Sequence, residues 1–313
     1  MPHLIVDKDP CPCESGQLIK DCCLRGKGIL RPKPFLPHTP GPKTGLSNPR
    51  CYAADLGDCS EKISGEHYIS HGILRELSED GVAIDVEGMA WLGDGGKKRL
   101  PAKGLTSNIL CKRHNEALSG LDGLAKRFFL SVDRIDKEFG SDTSDGEDRV
   151  FLFNGHDVER WMLKTLCGMV FSGSASTRTS PIKGWKPSPR WVKILFGKER
   201  FPNKWGMYFS GNIGEVSLTN RGFAFNPLSN ADLGVYGSIT TLNGKRFIFA
   251  MATPPADKSD SILAGYVYRP DELVMTNGGG DKVIKFGWDV RGQGGSIGIS
   301  YDKKSQASAG GES

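Results

Sequence analysis

Apolar and polar residues follow two rhythms along this chain, and the change comes just after residue 173. In "HDVERWMLKTLCGMVFSG", Val158, Trp161, Met162, Thr165, Leu166 and Met169 recur at helical spacing, which predicts a helix stopped by Gly173. Beyond it, short apolar runs such as "GMYFSGNIGEVSL", "GFAFNPL", "VYGSITTLNGKRFIFAM", "AGYVYRP" and "KVIKFGWDV" alternate with turn residues and predict strands. Asn243–Gly244, between two such runs, is the strongest hairpin signal in the chain. "GSDTSDGEDR" (140–149) reads as a polar loop, and the end, 303–313, as a disordered tail.

The earlier part has a different texture. Residues 31–50, "RPKPFLPHTPGPKTGLSNPR", hold six of the eighteen prolines and predict an extended, semi-rigid linker. It separates a cysteine-rich segment, 1–30, from a module over 51–139. A helix with a basic, tryptophan-containing connector (150–205) and a β-rich domain (206–302) complete the layout. The expected class is α+β.

Composition narrows the partners only slightly. The formal charge of +5 permits a polyanion without requiring one. No run of 18 or more apolar residues exists to span a bilayer, and "MPHLIVDKDPCPC" lacks the basic head and apolar centre of a secretory signal. The expectation is a soluble, cytoplasmic chain without a membrane partner.

The eight cysteines change the picture. Seven lie in the first 111 residues, and neighbouring cysteines bridge each other poorly. Clustered thiols of this kind read better as zinc ligands than as disulfides. "CPCESGQLIKDCC" sets Cys11, Cys13, Cys22 and Cys23 as C-x-C-x8-C-C, enough thiolates for one tetrahedral shell. This string resembles the SEC-C motif, whose paired cysteines, "SG" (15–16) and Lys20 fall in the same places. The resemblance implies a zinc-binding element that recruits a protein or other partner; a zinc staple that merely folds the segment is the plainer reading.

Cys51 and Cys59 with Cys111 and His114 make a second possible ligand set. Between its halves, "SGEHYISHGI" puts Glu66 directly before His67 in a β-type run. Asn108 stands three residues before Cys111, and Asn115 directly follows His114. This order of features resembles the HNH, or ββα-metal, endonucleases over about residues 51–125. The Cys51–Cys59 spacing is wider than that family's usual C-x2-C, and "EDGVAIDVEGMAWLGDGGKKRLPAKGL" inserts an extra hairpin carrying Lys97, Lys98, Arg99 and Lys103.

The resemblance implies a division of labour. His67 would be the general base that takes a proton from water. Glu66 and Asn115 would hold one Mg2+-like ion, and Asn108 would fix the loop carrying His67. Zinc on Cys51, Cys59, Cys111 and His114 would be structural. The implied function is metal-dependent hydrolysis of DNA, in restriction, mobile-element or anti-phage settings. A non-catalytic zinc-dependent nucleic-acid module, or a protein adaptor, is the alternative.

Three features stand outside that scheme. His71 could be a second catalytic group or a surface or capping histidine. Between 181 and 205, seven Lys or Arg and one acidic residue interleave with Trp185, Trp191 and Trp205, either as a nucleic-acid surface or as a packed connector. Cys167, on an apolar helix face, reads as a buried, inert thiol.

Overall fold

A computed structural model of the chain describes residues 10–13, 16–25, 29–30, 32–78, 82–93, 96–140, 148–176, 182–210, 222–253, 265–277, 280–289 and 295–301. The tail read over 303–313 and most of the 140–149 loop lie outside them. The class is α+β. In chain order come β1 (Leu24–Arg25), β2 (Ile29–Leu30), β3 (Ile63–His67), α1 (His71–Leu77), β4 (Ala83–Glu87), β5 (Lys97–Pro101) and β6 (Thr106–Cys111). They are followed by α2 (Lys112–Gly140), β7 (Arg149–Asn154), α3 (Gly155–Phe171) and α4 (Pro189–Leu195). The strands β8 (Gly206–Ser210), β9 (Phe223–Asn230), β10 (Gly234–Leu242), β11 (Lys245–Ala250), β12 (Tyr266–Tyr268), β13 (Glu272–Thr276), β14 (Asp281–Gly287) and β15 (Ser296–Ser300) complete the set.

The strongest local signals form as expected. α3 is capped by Asn154, whose side chain accepts from the Asp157 amide, and Gly173 follows it at φ +73°. Asn243 and Gly244 take φ values of 47° and 80° at the β10–β11 hairpin, the left-handed pair that a tight turn of this hand requires. The inserted segment between His67 and Asn108 contains the antiparallel β4–β5 hairpin. Its cations are partly answered within the hairpin: Lys97 pairs with Glu87 and Arg99 with Asp85.

α2 is the longest described helix, with 29 residues. Leu118, Leu121, Ala125, Phe128, Phe129, Val132 and Ile135 recur at three- and four-residue steps and are fully buried. That stripe receives two sheets. One is antiparallel, in the order β12-β8-β11-β10-β9; the other, β15-β13-β14-β7, mixes parallel and antiparallel pairs. Phe128 is where they meet, edge-on to Phe153 (5.2 Å), Trp161 (6.2 Å), Phe247 (5.4 Å) and Phe286 (6.0 Å) between ring centroids. One apolar core therefore runs from Cys51 to Tyr301, and the segments 51–139, 150–205 and 206–302 all share it.

The proline-rich segment is extended, but it is a strap rather than a spacer. Its polar backbone groups are claimed by side chains of the core elements. The Phe35 amide donates to Asp157 (2.7 Å), Arg160 donates to the Phe35 carbonyl (2.8 Å), and Arg113 donates to the carbonyls of Pro40 and Pro42. The Phe35 ring lies so close to Gly120 that a Cβ there would fall 2.3 Å from it. In the basic connector, Trp191 is buried against Trp185, Arg190 stacks over Trp205, and both Arg190 and Lys193 pair with Glu199. Cys167 is fully buried, and burial pushes its thiol well above the ordinary range.

Truncating the residue shared by both sheets tests this architecture. Phe128→Ala is expected to cost about 3–5 kcal/mol. Chemical denaturation should show the loss in circular dichroism and tryptophan fluorescence at one shifted midpoint, because that ring touches both sheets and α3.

Candidate metal centres and a buried histidine site

Both predicted ligand sets come together. Cys11, Cys13, Cys22 and Cys23 form one group and Cys51, Cys59, Cys111 and His114 the other, with the ligating atoms of each within 4.8 Å of one another. In the first, Cys13 Sγ lies 3.5 Å from Cys22 Sγ, and Cys22 Sγ 3.7 Å from Cys23 Sγ. Bonds of 2.3 Å to a tetrahedral ion would place sulfurs about 3.8 Å apart, so the set can hold a metal ion such as zinc. This element is docked on the body of the protein. The Leu152 amide of β7 donates to the Pro12 carbonyl (2.9 Å), and Cys11, Ile19, Cys23 and Leu152 bury one another.

In the second set every ligand is at most 2% exposed. His114 Nδ1 lies 3.4 Å from Cys51 Sγ and 3.8 Å from Cys59 Sγ, against about 3.6 Å for sulfur and nitrogen on one tetrahedral zinc. The hydrogen bond with Cys51 is the main influence holding the Cys111 thiol down to about 3, helped by His114 and the Ser60 amide. A thiolate is therefore favoured there before any metal binds. The residues next to two ligands make a further clasp. Asp58 precedes Cys59, Arg113 precedes His114, and the two form a buried ion pair at 3.0 Å. Burial alone would raise the Asp58 pKa, but bonds from the Thr44 amide, Thr39 and Arg113 outweigh it and hold it low.

This centre sits at the junction of three elements. β3 pairs antiparallel with β6, and β6 runs directly into α2. The ladder shifts register between Ser64 and Glu66, so Asn108 and Ile109 of β6 face Gly65 together. Here the contact implied for Asn108 is made by Asn115. Asn108 is exposed on the bulge, and no bond from its side chain holds the His67 strand. Asn115 does that instead: its Nδ2 donates to Ser64 Oγ (3.0 Å) and to the Gly65 carbonyl (3.2 Å).

Glu66 also differs from its implied role. Its side chain is buried against Lys164 of α3, whose ammonium makes a short ion pair with the Glu66 carboxylate and donates to Asp122 of α2 at 2.8 and 2.9 Å. Burial raises the Glu66 pKa to about 7, with Lys164 pulling it down and Asp122 pushing it up. Burial works against the Lys164 charge, but the two carboxylates more than offset it, and its pKa is raised. Among the described residues, the two cysteine-rich sets are the groups of three or more His, Cys, Asp or Glu able to hold an ion. The Mg2+ site expected from Glu66 and Asn115 does not fit this arrangement, because Lys164 already occupies the carboxylate.

His67, at the end of β3, faces a different environment. Its Nε2 is buried and makes no hydrogen bond, and its ring lies 4.8 Å from that of His71, tilted by 38°. Burial, then the neighbouring His71, lowers its pKa below the ordinary 6.5. A cavity of about 710 Å³ opens elsewhere, between β4 and β9; Glu66, His67, Asn108 and Asn115 do not line it. No signal in the sequence marked Lys164 or Asp122 as partners of Glu66.

Among the described residues no helix is long and apolar enough to cross a membrane. Comparison with protein-family models, with curated proteins and with solved structures found no match.

Two outcomes are expected. Elemental analysis of zinc-loaded protein should find two ions per chain, and Cys111→Ser should lower this to one while the N-terminal site stays filled. Lys164→Met should cost about 3–5 kcal/mol in chemical denaturation, since it strands two carboxylates without their buried cation.

Proposed function

We propose that the chain is a nucleic-acid phosphodiesterase of the HNH type, acting on DNA, with His67 as its general base and zinc in both cysteine-rich sets as structural ion. The observation that supports this best is local. A histidine with an unpartnered buried nitrogen ends β3, and β3 is paired to the strand that enters α2 through the Cys51–Cys59–Cys111–His114 centre. Such a brace between strand and helix keeps the imidazole in one orientation.

The chemistry assigned to this chain's own residues is a proton transfer. Neutral His67 accepts a proton from the attacking water while the phosphorus–oxygen bond to the leaving sugar breaks. Burial keeps that imidazole neutral at neutral pH. Asn115 is a positioning residue, holding the strand two residues upstream of His67 through Gly65. Because Glu66 is committed to Lys164, no step is assigned to a divalent ion. The net charge of +5 suits a phosphate backbone.

The same commitment of Glu66 favours a second reading, a zinc-stapled module that binds nucleic acid without cutting it. The two separate on one gel. Wild-type protein should nick supercoiled plasmid, and His67→Ala should abolish nicking with zinc content and melting temperature unchanged. Nicking by that variant at the wild-type rate would remove the base assignment. Salt-sensitive binding with no product in Mg2+, Mn2+ or EDTA would establish the second reading.

The pH profile adds a sign. Since the fold lowers the His67 pKa, the neutral base persists below pH 6.5, and activity should be lost only as pH falls through that lower value. An acid limb centred at or above 6.5 would contradict the assignment.

A further inference from the structure

We propose that His71 is a second catalytic residue of this site, the proton donor to the leaving oxygen; this rests on the reading of His67 as base. The two imidazoles are neighbours in space, with ring centroids 4.8 Å apart and planes tilted by 38°. They bracket a tight turn, His67 closing β3 and His71 opening α1. Both side chains are partly exposed, although His67 Nε2 itself is buried.

That turn is held on every side. Tyr68, Ile69 and Ser70 are buried, and Ser70 Oγ donates to Asp122 at 2.7 Å. α3 presses on it so closely that a Cβ on Gly168 would sit 2.8 Å from the Tyr68 Cβ. On the other side the aliphatic stem of Lys126 covers Gly72, where a Cβ would meet it at 2.9 Å. Ordinary surface or capping histidines need no such clamp. A pair of acid–base groups does, since proton transfer works only within hydrogen-bond reach of about 2.6–3.2 Å.

The chemistry supplies the need. An alkoxide leaving from phosphorus requires either a cation or a proton on its oxygen. Among the described residues the two carboxylates near this pair, Glu66 and Asp122, are both paired with Lys164, and the geometry offers a proton as the route to the leaving oxygen. In the balanced step, the water oxygen bonds to phosphorus as the bond from phosphorus to the sugar oxygen breaks. The water proton passes to His67, and His71 gives its own proton to the departing oxygen. Burial favours the neutral form of His67, as its role as base requires. Exchange with solvent resets both groups.

The test compares two leaving groups. Plasmid DNA leaves as a sugar alkoxide, which needs the proton; thymidine 5′-(p-nitrophenyl phosphate) leaves as p-nitrophenolate, which does not. His71→Ala should lower plasmid nicking by about 10²–10⁴-fold, and most of that loss should disappear on the p-nitrophenyl diester. His67→Ala should be defective on both. His71→Gln, which keeps a polar side chain in the turn, should reproduce the pattern and guards against a folding defect, with zinc content as the control. An unchanged nicking rate in either His71 variant overturns the proposal, as does an equal loss on both substrates. If wild type cuts neither substrate, or His67→Ala cuts both normally, the underlying reading of His67 fails instead, and the role of His71 goes with it.

Discussion

A single buried ammonium organises the centre of this protein. Lys164 is fully enclosed on α3, yet its charge is maintained because Glu66 of β3 and Asp122 of α2 both reach it. Taking the ammonium and the Glu66 carboxylate out of water costs several kcal/mol per ion, and it is tolerable only when both are paired; Asp122 joins them from the partly exposed edge. The pairing fixes three elements relative to one another. Asp122 also accepts from Ser70, so the turn between His67 and His71 is anchored to the same charge. The position of the imidazoles is thus a consequence of an ion cluster that neither of them joins.

The metal centres act from outside this cluster. Cys51 and Cys59 come from the segment before β3, and Cys111 and His114 from the junction of β6 with α2. An ion held by all four closes a loop of about fifty residues, whose closure entropy would otherwise oppose folding. The Asp58–Arg113 pair repeats the same closure beside it, and Arg113 extends the clasp to the proline-rich strap. The N-terminal set serves a different geometry. Its Pro12 carbonyl takes the amide of Leu152 on β7, which ends the four-stranded sheet, so the knuckle covers an edge left without a neighbouring strand.

The sequence was most legible where chemistry is local. Cysteine spacing located the first ligand set, because four thiolates in thirteen residues leave few other roles; the second, three cysteines with His114, was legible from the order of features around it. The apolar period located α3, and Asn243–Gly244 located the β10–β11 turn, since left-handed backbone selects those residues. What escaped reading was non-local. Glu66 beside His67 looks like an open metal ligand until α3 folds back and delivers Lys164, and nothing in the order of residues announces that. Likewise Asn108 is exposed on a one-residue bulge, and it is Asn115 of α2 that reaches Gly65. The partners of the proline-rich strap escaped reading for the same reason: Asp157 and Arg160 lie on α3.

Charge counting explains why the chemistry at this site would be protonic. One ammonium and two carboxylates carry an excess of one negative charge when all are ionised, and the buried part of the cluster, Glu66 with Lys164, resists that excess. A proton on Glu66 removes it, which is why burial raises that carboxyl to about 7. A divalent cation added beside Lys164 would instead leave an excess positive charge in the same enclosed space. The ammonium and the divalent ion are therefore alternatives at this carboxylate, and the fold has already supplied the ammonium. What brackets the turn is a pair of imidazoles, and burial lowers the pKa of one of them.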